Sequence, residues 1–181
     1  MKILSEYLLN TPSLGKLYLR CNGKNNVKEE GVKYIVKGVK NNPNFELLEL
    51  SENDITGCGQ YLAELISNTN SLEYLFLKNC KLNCKDFKAI FEAVKNSNSL
   101  KEIDVSFNDM GGDKALEYLA EAIEENKSLT YLGIDKLNIN MDNYKPIFDA
   151  IEKNKNIVNY SISYNSELKP KIALNFVYSL K

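Results

Sequence analysis

Apolar positions along the chain follow one frame, L-x-x-L-x-L-x-x-N-x-L, and the frame returns six times. The copies are Leu14, Leu17, Leu19, Asn22; Phe45, Leu48, Leu50, Asn53, Ile55; Leu72, Leu75, Leu77, Cys80, Leu82; Leu100, Ile103, Val105, Asn108, Met110; Leu129, Leu132, Ile134, Leu137, Ile139; and Ile157, Tyr160, Ile162, Asn165. Their ninth positions fall at intervals of 31, 27, 28, 29 and 28 residues, the first lengthened by Asn22-Gly23-Lys24-Asn25-Asn26. Chance does not hold a register this way.

The L-x-L pair alternates as a strand does, so both apolar side chains point to one side, the core. Strands are expected near 15–20, 46–51, 73–78, 101–106, 130–135 and 158–163. The ninth residue, Asn or Cys in five copies, satisfies backbone groups where the strand bends away. Leu137 cannot do this, and a local compensation such as a water is expected there. Between the frames, apolar residues recur every three or four positions: Val32, Ile35, Val36, Val39; Leu62, Leu65, Ile66; Phe87, Ile90, Phe91, Val94; Leu116, Leu119, Ile123; Ile147, Phe148, Ile151. These are helices. Asn83 with Asp86 three residues on reads as a cap, and Pro146 as a first-turn residue. Each helix ends on a polar stop, such as Asn41-Asn42-Pro43 or Asn96-Ser97-Asn98.

A unit of strand, turn and full helix with this repeat length resembles the ribonuclease-inhibitor-like leucine-rich-repeat family, over nearly the whole chain. The resemblance implies an α/β solenoid: a horseshoe segment with a concave parallel sheet of about six strands and convex helices, one domain over 1–181. Residues 3–14 line up with 61–72, so the chain starts within a repeat, at its helix. Residues 1–13 read as an N-terminal cap, favoured by Met1 over the loss of upstream repeats. Residues 168–181 read as a C-terminal capping helix, with Ile172, Phe176, Val177 and Leu180 closing the core.

Composition narrows the chemistry. The net charge is −1, and Arg20 is the only arginine among the 23 basic residues, which argues against nucleic acid. With no histidine, Ser-His-Asp, Cys-His and HExxH systems are excluded. Cys21, Cys58, Cys80 and Cys84 form no CxxC pair and suit a reducing compartment. No signal peptide and no apolar run of membrane-spanning length is present, so a cytoplasmic monomer is expected. Asn126-Lys127-Ser128 and Asn159-Tyr160-Ser161 match the glycosylation pattern by chance.

Three local motifs are weak. Gly57-Cys58-Gly59 before a helix is like a phosphate loop, without its third glycine and lysine. Asp104-x-Ser106-x-Asn108 is like a calcium loop, but Asp109 stands where glycine belongs and no glutamate closes the loop. Cys80 and Cys84 straddle a turn and are better explained by packing than by reactivity. The lysines of the helices, Lys33, Lys37, Lys40, Lys85, Lys88 and Lys95, describe a solvated convex face. No cofactor, metal or catalytic residue is expected.

Binding is expected on the concave face instead. Residues flanking each L-x-L pair should point away from the core: Lys16, Tyr18, Arg20, Cys21; Leu47, Glu49, Ser51, Glu52; Tyr74, Phe76, Lys78, Asn79; Glu102, Asp104, Ser106, Phe107; Tyr131, Gly133, Asp135, Lys136; Asn159, Ser161, Ser163, Tyr164. Tyr18, Glu49, Glu52, Tyr74, Phe76, Glu102, Asp104, Phe107, Tyr131 and Asp135 are the candidate partner-binding residues. Exposed aromatics mark interfaces, and interleaved acids suit a basic partner surface. The reading is a protein-interaction scaffold, an inhibitor, adaptor or effector; the alternative is a regulator of a partner enzyme, such as a GTPase-activating protein of the same repeat family. The asparagine- and lysine-rich style resembles repeat proteins of intracellular bacteria and some protists, some of them delivered to the host cytosol.

Overall fold

The six frames fold into six parallel strands joined by helices, as the alternation of L-x-L pairs and helical stripes requires. The protein is described by a computed structural model covering residues 2–21, 27–139 and 143–162. The order is α1 (Lys2–Leu9), β1 (Lys16–Tyr18), α2 (Glu29–Val39), β2 (Leu47–Glu49), α3 (Gly59–Asn68), β3 (Tyr74–Phe76), α4 (Cys84–Asn96), β4 (Glu102–Asp104), α5 (Asp113–Glu125), β5 (Tyr131–Gly133), α6 (Lys145–Lys153) and β6 (Asn159–Ser161). The strands form one sheet in the order β1-β2-β3-β4-β5-β6. Each is three residues long and sits inside its expected span. The expected C-terminal helix, Asn22, Asn165, Ser163 and Tyr164 lie outside the described residues.

Core assignments at the frame positions hold throughout the middle. Leu48, Leu50, Leu75, Leu77, Ile103, Val105, Leu132 and Ile134 are fully buried, with the apolar stripes of α2 to α6 packed over them. Leu14, Leu17 and Leu19 of the first frame are half-buried.

The strand ends turn away from the sheet through a left-handed residue: Glu52 (φ 64°), Asn79 (53°), Phe107 (60°) and Lys136 (48°). The buried asparagine that follows ties this corner to the preceding repeat. Asn108 Nδ2 donates to the carbonyls of Leu77 (2.8 Å) and Val105 (2.7 Å), and its Oδ1 accepts from Cys80 N (2.9 Å) and Leu82 N (3.0 Å). Asn53 does the same for Leu19 and Val27. Where the ninth residue is Cys80 or Leu137, a main-chain carbonyl replaces the amide oxygen. Cys80 O accepts from Ile55 N (3.2 Å) and Leu137 O from Met110 N (3.4 Å). In both cases the next residue is also left-handed, Lys81 (φ 56°) and Asn138 (φ 55°), and no such turn follows Asn53 or Asn108. The compensation expected at Leu137 is therefore a peptide orientation made from the backbone itself.

A second buried ladder runs along the helix-to-strand corner. Asn126 Nδ2 donates to Val94 O (2.6 Å) and Ser97 O (2.9 Å), and Asn154 Nδ2 to Asn126 O (2.9 Å). Asn126 is fully buried and its amide is used, so the sequon there is a structural element.

Gly57-Cys58-Gly59 has a protein anion in place of a phosphate. Asn83 and Asp86 form the expected capping box on α4. The Asp86 carboxylate, itself buried, also reaches across the repeat to accept from Gly57 N (3.1 Å) and Gly59 N (2.8 Å) at the start of α3.

Candidate functional site

The parallel register arranges the outward side chains in two rows. One runs Lys16, Leu47, Tyr74, Glu102, Tyr131, Asn159; the other runs Tyr18, Glu49, Phe76, Asp104, Gly133, Ser161. Neighbours in a row are about 4.8 Å apart, the spacing of paired strands. Tyr74, Glu102 and Tyr131 are consecutive in the first row. Glu49, Phe76 and Asp104 are consecutive in the second, with Tyr18 beside Glu49. Tyr18 is 63% exposed and Phe107 38%. Tyr74, Phe76, Tyr131, Glu49, Glu52, Glu102, Asp104 and Asp135 are half-buried. Glu52, Phe107 and Asp135 stand beyond the strand ends, at the edge where the chain turns.

Several residues expected to point away from the core do not contribute open surface. Leu47 is buried, in register between the longer Lys16 and Tyr74. Ser51 and Ser106 are buried because their hydroxyls turn inward to accept from Lys78 N (3.1 Å) and Asp135 N (3.0 Å) of the next repeat. Cys21 is buried at the corner. Gly133 is covered by Asp104: a Cβ there would lie 2.5 Å from its Oδ1.

The acids are not equivalent. Glu49 Oε1 accepts from Ser51 N (2.7 Å) and Asp104 Oδ1 from Ser106 N (2.8 Å), so each also braces its own strand end. Asp104 and Ser106 therefore serve the strand end while Asn108 serves the buried corner. Arg20 is hydrogen-bonded to Glu52. That contact holds the Glu52 carboxyl below the usual range and the Arg20 guanidinium above it. Lys101 pairs with Glu73 (2.6 Å) and Lys16 with Glu46 (4.0 Å). Tyr131 donates its hydroxyl to Ser161 Oγ (3.2 Å).

Two residues outside the candidate set, Lys78 and Lys136, stand against one of its members. The ammonium groups of Lys78 and Lys136 stand 4.7 Å and 5.0 Å from the Phe107 ring centroid. Their frame positions, at the ends of neighbouring strands, carried the signal. The sequence does not say that both side chains would lean onto one ring.

Cys58 and Cys80 are buried, and burial pushes both thiols up to about 12. A concavity of about 520 Å³ between α5 and α6 is lined by Glu121, Glu124, Lys145, Asp149 and Lys153. Its charges pair off, Lys153 with Glu124 (3.0 Å) and Lys145 with Asp149. Among the described residues, no helix is long and apolar enough to cross a membrane.

Comparison with known proteins places the fold. No established family profile matches the chain. The human NACHT, LRR and PYD domains-containing protein 13 is 28% identical over 155 residues, 84% of this chain and 14% of that protein. The chain thus spans about one-seventh of that relative. Among solved structures, leiomodin-1 actin-binding site 2 superposes with a TM-score of 0.67 at 16% identity, covering 82% of this chain and 86% of that one. The C-terminal domain of Caenorhabditis elegans tropomodulin superposes at 0.65 with 18% identity, covering 96% and 98%. Likeness at such identities speaks for architecture alone: the chain folds as an α/β solenoid of leucine-rich-repeat type.

Proposed function

We propose that the protein is a protein-binding scaffold of the ribonuclease-inhibitor-like kind, which grips a partner on its concave sheet. The observation that carries this reading is the pair of outward rows. They set Tyr18, Tyr74, Phe76 and Tyr131 side by side with Glu49, Glu102 and Asp104 on one face of the sheet. Aromatic side chains half-open to solvent supply large contact area at low entropic cost, and interleaved carboxylates favour a basic surface on the partner. One of the structural neighbours is named for an actin-binding site, which agrees with use of such a scaffold to hold a protein. The role is that of an inhibitor, adaptor or effector, acting in a cytosol. Regulation of a partner GTPase is less favoured, because the one arginine is held by Glu52.

The test is affinity capture with the wild type and with Phe76→Ala/Glu102→Lys. Glu102 is chosen over Asp104, whose carboxylate braces the Ser106 amide. Loss of a partner by the double variant, with an unchanged circular dichroism melt, is expected. An unchanged partner set would move binding to the convex helices or the ends.

A further inference from the structure

Phe107 is not explained by folding. The corner forces its position into the left-handed region in four successive repeats, at Glu52, Asn79, Phe107 and Lys136. Asparagine, as at Asn79, tolerates that conformation, and a bulky aromatic is among the poorest choices. Burial does not offset the strain, since the side chain stays 38% exposed. Strained residues of this kind gather at sites that act.

The ring's neighbours say what it would meet. Lys78 and Lys136 lean over it at 4.7 Å and 5.0 Å. Among the described residues, Lys16 and Arg20 on the same face each pair with a carboxylate, as does Lys101 just before β4. Among the described residues, neither Lys78 nor Lys136 has a carboxylate within 4.0 Å. Glu52, whose carboxyl senses the Lys78 charge, is already held by Arg20.

Resting on the reading of the concave face as a binding surface, we infer that Lys78, Phe107 and Lys136 form a seat for an acidic side chain of the partner protein. The two ammonium groups take the carboxylate, and the ring takes the methylene stem behind it. The partner is then bipolar. A basic stretch lies over Glu49, Glu102 and Asp104, and an acidic residue docks at the corner. That opposition fixes the direction in which the partner lies along the sheet.

The experiment is a nitrogen-15 chemical-shift titration of the full chain with a short oligoglutamate peptide, and with an oligolysine of equal length. Expected are saturable shifts centred on residues 78, 107 and 136 with oligoglutamate alone. They should be abolished in Lys78→Ala/Lys136→Ala and weakened about tenfold or more in Phe107→Asn. Phe107→Asn should also raise Tm, by about 2–4 °C, as the left-handed strain is relieved. Shifts spread over the convex lysines, shifts that survive the double variant, or a lowered Tm in Phe107→Asn would each overturn the seat. If the seat fails while Phe76→Ala/Glu102→Lys still loses its partner, the concave-face reading stands without it.

Discussion

Replacing Asn108 by leucine asks how much one ladder asparagine holds. The side chain is 2% exposed and joins two repeats, donating to Leu77 O and Val105 O and accepting from Cys80 N and Leu82 N. Leucine fills the volume but removes every polar contact. The carbonyls keep some satisfaction through their second lone pairs, so the main penalty falls on two buried N–H groups. At about 1–3 kcal/mol for each unsatisfied group, the rigid-backbone cost is about 2–6 kcal/mol. The chain already contains the partial remedy: at Leu137 the main-chain carbonyl takes over one of these duties, with a left-handed Asn138 turning it. If residue 109 can follow, one N–H is recovered and the loss settles near 3 kcal/mol, a large part of the stability of a domain. Asn108→Leu combined with Asp109→Gly, which eases the left-handed turn, should then regain about 1 kcal/mol. Urea denaturation followed by circular dichroism measures both. A single variant within 0.5 kcal/mol of wild type, roughly the scatter of surface substitutions, would refute the role given to the ladder.

Two further tests address the packing between repeats. Gly59→Ala places a methyl group 2.5 Å from Asp86 Cα and 2.9 Å from Asp86 O, so main chain must move and about 2–3 kcal/mol should be lost in the same melts; wild-type stability would show that α3 and α4 are less tightly joined. Burial pushes the Cys58 and Cys80 thiols up to about 12, which disfavours the reactive thiolate at neutral pH. Both should resist an aromatic disulfide reagent in the native protein and react in urea, and rapid native labelling of either would contradict their placement in the core.

What was legible in the sequence was whatever repeats. The period fixed the core positions, because Leu48, Leu75, Ile103 and Leu132 share one place in the frame and one environment. It also put the ten candidate residues on the sheet face and its rim. What was not legible depends on the neighbouring repeat. Simple alternation sent Leu47, Ser51 and Ser106 outward, but Leu47 lies between longer neighbours and the two serine hydroxyls cap the next strand end. Asp86 was visible as a helix cap, yet its reach to Gly57 and Gly59 spans a whole repeat and leaves no local pattern. The replacement for asparagine at Leu137 is a peptide orientation, which no side-chain pattern encodes.

These interactions divide the labour between the two kinds of position. Backbone groups at both corners are satisfied by buried side chains, Asn53 and Asn108 at one and Asn126 and Asn154 at the other, or by a turned carbonyl. The apolar frame supplies the core. Little structural duty is then left for Tyr18, Tyr74, Phe76 or Glu102, whose replacement should change surface chemistry far more than stability. Glu49 and Asp104 are mixed cases, each spending one oxygen on its own strand end while the carboxylate still faces outward. Phe107 sits at the far limit, where the fold gains little from the ring and bears its strained conformation. A scaffold that stores its stability in the corners and core can carry an unfavourable side chain on the rim. Such a position is where recognition should be sought first.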